Sequence, residues 1–159
     1  MGMKEHELAI VLVEPEIPQN TGNIGRLCAC TDTRLYLVGK LGFSTDGKAV
    51  RRAGMDYWLQ LDVEYRVSLE ELWTEFPGRR FVYFSARAKV PYTEFKYSKN
   101  DFLVFGKETR GLPRALLEAN PETSLRIPMA HTFEDRSLNL SHAAAIALYE
   151  AIRQCRLFA

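Results

Sequence analysis

Three segments of this sequence combine polar side chains suited to chemistry with spacings that place them at turns. The first is Glu14-Pro15-Glu16-Ile17-Pro18-Gln19-Asn20-Thr21-Gly22-Asn23-Ile24-Gly25-Arg26, which crowds carboxylates, amides and one guanidinium around the start of a helix. Asn20 and Arg26 are six residues apart, so part of that helix separates them. Read as plain structure, Asn20 or Thr21 caps the helix and Arg26 is solvated. The second segment is Phe105-Gly106-Lys107-Glu108-Thr109-Arg110-Gly111-Leu112-Pro113, with two glycines five apart after an apolar stretch. Glycines there permit unusual backbone angles and let a ligand approach main-chain groups; a tight turn with a solvated Glu108 is the alternative. The third is Ile127-Pro128-Met129, then, after a polar loop, Arg136-Ser137-Leu138-Asn139-Leu140-Ser141. Asn139 or Ser141 there also reads as a helix cap.

Other chemistries find little footing. Gly22-Asn23-Ile24-Gly25 lacks the G-x-G-x-x-G spacing of a dinucleotide fold, and no G-x-x-x-x-G-K-[ST] phosphate loop occurs. Cys28-x-Cys30 lacks partners for a metal: zinc usually takes four ligands at recognisable spacing, and His6, His131 and His142 stand far off in sequence. No metal site is expected. Cys28 reads as a core residue and Cys30 as lying off the buried helix face, neither carrying chemistry.

The elements that must position these segments alternate. Leu8 to Val13 is a continuous apolar run of strand length, as in strands covered on both faces. Pro15 and Pro18 break the chain, and Ile24, Leu27, Cys28 and Thr31 then mark a helix over Thr21 to Thr31. Arg34 to Val38, Arg80 to Phe84, Phe102 to Phe105 and Leu125 to Ile127 read as strands. Ser68 to Phe76 reads as a helix opened by a Ser68-x-x-Glu71 capping box, and Pro113 opens another. Gly39 to Asp56 shows no clear element. Leu140, Ala143, Ala144, Ala147, Leu148, Ala151 and Ile152 mark a last helix whose small face packs on a neighbour, on a second subunit, or in an ordinary core. The alternation predicts an α/β fold, a mainly parallel sheet with helices on both faces and ligands bound beyond the carboxyl ends of the strands.

The 159 residues, 47% of them hydrophobic, suit one domain over 1–159. With 21 Lys and Arg against 20 Asp and Glu, nucleic-acid contact must come from local patches. No apolar run approaches the roughly 18–20 residues of a membrane span, Met1 to Glu7 is polar, and the three cysteines argue against a disulfide framework, so a cytoplasmic protein is expected.

Taken together, the three segments closely resemble, in order and spacing, the SPOUT-class tRNA 2'-O-methyltransferases, in the wobble-position branch called TrmL or YibK. The similarity runs from Leu8 through Gln154 and includes Leu41-Gly42-Phe43 and Arg51-Arg52-Ala53-Gly54-Met55-Asp56-Tyr57. The resemblance implies a C-terminal trefoil knot, a homodimer, S-adenosyl-L-methionine as methyl donor, and the anticodon stem-loop of tRNA as partner. Carried over by position, Phe84, Gly106, Ile127, Ser137 and Leu138 line the donor site, and Asn20, Arg26, Glu108, Ser137 and Asn139 surround the reacting groups. The loop Ala130 to Asp135 departs from the family's pattern, being about two residues longer.

Such an enzyme must align the ribose 2'-hydroxyl with an activated methyl group, and positioning of this kind supplies about 7–11 kcal/mol of a barrier. A guanidinium stays protonated, so Arg26 fits a role on the substrate phosphate and on charge developing at the 2'-oxygen, with phosphate or water taking the proton. Glu108 and Asn139 fit orienting roles, and Ser137 a bond to the donor. Arg51, Arg52 and Arg110, with Lys48, Arg87, Lys89 and Arg114, are candidate RNA contacts; Tyr57 or Trp58 could stack on bases. Rival readings are the same reaction at another tRNA or rRNA site, a non-catalytic RNA-binding knot protein, and, more distantly, a dinucleotide-dependent oxidoreductase.

Overall fold

The first apolar run forms β1 (Ala9–Val13), whose side chains alternate between two cores: Ile10 and Leu12 enter one, Ala9 and Val11 the other. In the computed structural model, which describes residues 6–52, 58, 61–131 and 137–158, six further strands flank it. They are β2 (Arg34–Val38), β3 (Val63–Arg66), β4 (Phe81–Phe84), β5 (Val90–Pro91), β6 (Phe102–Phe105) and β7 (Ser124–Arg126). The seven strands form one sheet in the order β3-β2-β1-β6-β4-β7-β5, and every pairing between them is parallel.

Among the described residues five α-helices accompany the sheet: α1 (Pro18–Cys30), α2 (Gly47–Arg52), α3 (Leu69–Glu75), α4 (Arg114–Ala119) and α5 (Leu140–Cys155). Ile24 and Cys28 of α1 and Ala144, Ala147, Leu148, Ala151 and Ile152 of α5 pack with Ile10, Leu12 and Leu103 on one face. Leu69 and Leu72 of α3 and Leu117 of α4 pack with Ala9, Val11 and Val104 on the other. Helices on both faces are therefore observed, as the continuous apolar strands require. The small face of α5 packs within its own chain, while Ile146 and Tyr149 stay exposed on the opposite side.

Several elements differ from expectation for local reasons. Helix α1 begins at Pro18 rather than Thr21, because proline at the first helical position loses no needed hydrogen bond and already has a helical φ. Ile17 is the N-cap, without a side-chain bond, so Asn20 and Thr21 lie inside the helix and cap nothing. Helix α2 falls in the stretch without a clear element; Asp46 starts it by accepting from the Ala49 N–H at 2.8 Å. Strand β4 begins at Phe81, and Arg80 instead pairs with the buried Asp101 at 2.7 Å. Strand β7 lies one residue earlier than expected, over Ser124–Arg126. In α3, Ser68 Oγ accepts from the Glu71 N–H at 3.3 Å, but the Glu71 carboxylate reaches back to the Val67 N–H at 2.6 Å, one residue before the usual partner. Tyr57, the side chain of Arg51 and residues 132–136 lie outside the described residues. Among the described residues no helix is long and apolar enough to cross a membrane.

Cys28 is buried and Cys30 exposed, as the helix period implied, and burial pushes the Cys28 thiol up. A thiol reagent at mildly alkaline pH should therefore label Cys30 in the folded protein and spare Cys28 until denaturant is added. Peptide mapping of the labelled protein checks this; labelling of Cys28 at the rate of Cys30 would contradict the packing.

Candidate active site

The carboxyl ends of β4, β6 and β7 open into a cavity of ≈ 540 Å³, within the range of small-molecule sites and at the sheet edge where α/β proteins bind ligands. Its apolar side includes Phe84 and Phe105, the last residues of β4 and β6, whose rings stack at 4.8 Å with 9° between their planes. Ile127 and Met129 follow β7, and Leu138, Leu140 and Ala143 come from the start of α5. Ile17 and Leu138, two exposed large apolar side chains, line this same cavity. Apolar surface exposed inside a cleft is what a bound ligand would cover.

Polar groups converge on this apolar wall. Asn20, in the first turn of α1, is only 6% exposed, and its side chain makes no hydrogen bond among the described residues. Ser137 lines the cavity from the chain entering α5. Asn139 caps α5, its Oδ1 accepting from the Ser141 N–H at 2.9 Å and from the Ser141 hydroxyl at 2.6 Å. That leaves its side-chain N–H groups unengaged beside the cavity. Arg87, Lys107 and Arg110 give the lining an excess of positive charge over the single carboxylate, Glu108.

The loop after β6 is shaped by its glycines. A Cβ on Gly106 would fall 2.1 Å from the Gly111 carbonyl carbon, and Gly111 has a φ of +66°. The loop therefore doubles back on itself, with the Gly111 N–H donating to the Lys107 carbonyl at 2.8 Å. The loop's own backbone alone therefore requires glycine at 106. Glu108 reaches the start of α1, where its two carboxylate oxygens accept the N–H groups of Glu16 at 2.7 Å and Ile17 at 3.3 Å.

Of the residues singled out in the sequence, Asn20, Phe84, Gly106, Glu108, Arg110, Ile127, Ser137, Leu138 and Asn139 all line this one cavity. Arg26 does not. Six residues along an α-helix are about 9 Å and about one and two-thirds turns beyond Asn20, which leaves Arg26 exposed on another side of α1. Arg52 is exposed on α2 and lies outside the lining. Trp58, weighed as a base-stacking residue, is buried at 4% exposure against Gly25. Ser85 and Ala86 were missed, though they directly follow β4, whose carboxyl end carries the site, while Met129 of the third segment joins the lining. Among the described residues no group of three or more His, Cys, Asp or Glu is arranged to hold a metal ion.

A family model described as the SpoU rRNA Methylase family matches residues 7–149. The chain belongs to the SpoU methylase family. Within it, the Escherichia coli K12 protein named tRNA (cytidine(34)-2'-O)-methyltransferase is 46% identical over 152 residues, covering 92% of this chain and 93% of that one. A solved structure described as giving insights into the 2-OH methylation of C/U34 on tRNA is 40% identical with a TM-score of 0.86, covering 96% of this chain and 98% of that one. The SpoU methyltransferase AviRb from Streptomyces viridochromogenes, solved in complex with the cofactor AdoMet, is 27% identical with a TM-score of 0.77, covering 96% of this chain and 62% of that one.

Because Gly106 has no space for a side chain, Gly106→Ala should push residues 107–112 outward at a cost of about 1–3 kcal/mol. Denaturant unfolding measures the loss, and faster amide exchange at Gly111 locates it. Wild-type stability and exchange would show that the backbone approach is not tight.

Proposed function

We propose that this chain transfers the methyl group of S-adenosyl-L-methionine to the ribose 2'-hydroxyl of the wobble nucleotide, C34 or a modified U34, in the tRNA anticodon loop. The observation that carries the reading is the convergence of Asn20, Gly106, Glu108, Ser137 and Asn139, scattered along the sequence, on one cavity beside an apolar wall. The curated relative and the solved neighbour named for position 34 support the choice of nucleotide. We take the chain as one domain acting in the cytoplasm.

The cavity suits the donor: stacked Phe84 and Phe105 with Ile127 and Leu138 offer apolar contact, and Ser137 and main-chain groups of Gly106 and Leu138 offer hydrogen bonds. When bound, S-adenosyl-L-methionine supplies a methyl group already activated on a sulfonium. The protein's part is then alignment and charge. Asn20, buried with an unengaged amide, fixes the substrate edge of the cavity. Glu108 anchors the loop to α1 through backbone N–H groups and so orients the site. Asn139 holds the start of α5 and presents its remaining N–H groups beside Ser137. The guanidinium of Arg26 takes the substrate phosphate and the negative charge growing on the 2'-oxygen. Arg87 and Arg110, exposed at the cavity, with Arg51 and Arg52 on α2, are the cations for the RNA backbone.

Two further features belong to this reading. A trefoil knot is supported by the return of the chain after β7, which brings Ser137–Ala143 against the loops that follow β4 and β6. A homodimer is supported by apolar Ile146 and Tyr149 exposed on α5, which packs beside α1 and its exposed Arg26. We infer that Arg26, which does not line its own cavity, serves the cavity of the second copy. The rival of methylation at an rRNA site draws on the family model's description.

Incubating the protein with labelled donor and unmodified tRNA, then mapping the nucleotide, should place the label on the position-34 ribose; label only outside the anticodon loop would overturn the assignment. Arg26→Ala should lower transfer about 100-fold or more while the Kd for S-adenosyl-L-methionine stays at the wild-type value. Parallel loss of donor binding would remove Arg26 from its substrate role.

A further inference from the structure

The turn between β1 and α1 carries a second carboxylate, Glu16, that does not line the cavity. Its Oε1 accepts from the Thr109 N–H at 3.0 Å and from the Thr109 hydroxyl at 2.7 Å. Glu108, the neighbour of Thr109, returns the contact by accepting the N–H groups of Glu16 and Ile17. Two carboxylates thus cross between two segments more than 90 residues apart, each binding the other segment's backbone. Backbone N–H groups at a helix start have no partner within the helix, so the contact also satisfies donors that α1 leaves open.

The turn is braced from behind. The Gly42 N–H donates to the Pro15 carbonyl at 2.9 Å, and a Cβ on Gly42 would lie 2.9 Å from Glu16 Cα. Glu16 therefore cannot retreat from Thr109 without displacing the chain around residue 42. Asn20 follows in the first turn of α1, on one side of the cavity, and Thr109 and Arg110 line it on the other.

We propose that Glu16 is a positioning residue of the methyl-transfer site, holding the donor-side loop Gly106–Gly111 in fixed register with the helix that carries Asn20. This rests on the reading of the cavity as the methyl-donor site. Thr109 acts first, and Lys107 and Arg110 add to it, in holding the Glu16 carboxyl below the usual carboxylate range. The grip is complete above that range and weakens as pH falls through the lowered value. Because Glu16 does not itself line the cavity and meets it only through Thr109, its removal affects donor and substrate through the two walls it joins.

The test compares wild type, Glu16→Ala and Glu16→Gln, all confirmed folded by their thermal transitions. Measured are amide exchange at Thr109, the Kd for S-adenosyl-L-methionine, and the single-turnover methylation rate at saturating donor. Glu16→Ala should speed exchange at Thr109, raise the donor Kd about tenfold and slow the saturated rate, since both walls lose register. Glu16→Gln keeps an oxygen acceptor for Thr109 and should restore most of both kinetic losses, which a role in charge alone would not allow. Unchanged exchange at Thr109 in Glu16→Ala, a wild-type Kd and rate in that variant, or Gln performing no better than Ala would each overturn the proposal. Wild-type protein that binds no donor would count against the methyl-donor reading, and the exchange measurement would still decide whether Glu16 holds the loop.

Discussion

The backbone of Gly106 meets that of Gly111 and Leu112 so closely that no side chain fits between them, and the site depends on this contact. It closes the loop after β6 into a narrow turn whose far end, Glu108 and Thr109, can only point toward the start of α1. Strand order supplies the rest. Because β6 pairs with β1 on one side and β4 on the other, the loops leaving the carboxyl ends of these parallel strands are neighbours in space. β7 adds Ile127 and Met129 beside β4. The cavity is thus a product of sheet order, and its polar residues need no proximity in sequence.

Legibility in the sequence followed burial and length. β1, β2, β4 and β6 were readable because strands covered on both faces are apolar at nearly every position, and α5 because sixteen residues give its period several repeats. β3, Val-Glu-Tyr-Arg at the sheet edge, is half polar and was missed; two-residue β5 carries no pattern at all. Helix α2 has no apolar period and depends on Asp46 as a cap. Strand order was not legible, since alternation of elements does not say that β6 inserts between β1 and β4.

The site was legible as a set of residue types but not as an arrangement. Gly106 and Gly111 stood out, but residue type did not show that Gly106 must also admit the close approach of its own loop. Asn20 and Arg26 share a motif, but the helix that joins them turns one into the cavity and the other away. Residue type could not tell a carboxylate that meets substrate from one that binds a distant backbone, because that depends on a partner 92 positions earlier.

The engagement of Glu108 bears on the hardest step of the chemistry. A 2'-hydroxyl must lose its proton as it takes the methyl group, and Glu108 is the sole carboxylate among the described residues lining the cavity, which include no histidine. Both of its oxygens already accept backbone N–H groups, so moving to the substrate would release the start of α1 and with it Asn20. A general base must reach the proton it takes, and with both oxygens engaged by backbone N–H groups Glu108 is not placed for that role in this structure. Guanidinium groups cannot fill it either. The described site is built to position and to stabilise negative charge, with Arg87, Lys107 and Arg110 outnumbering its one carboxylate.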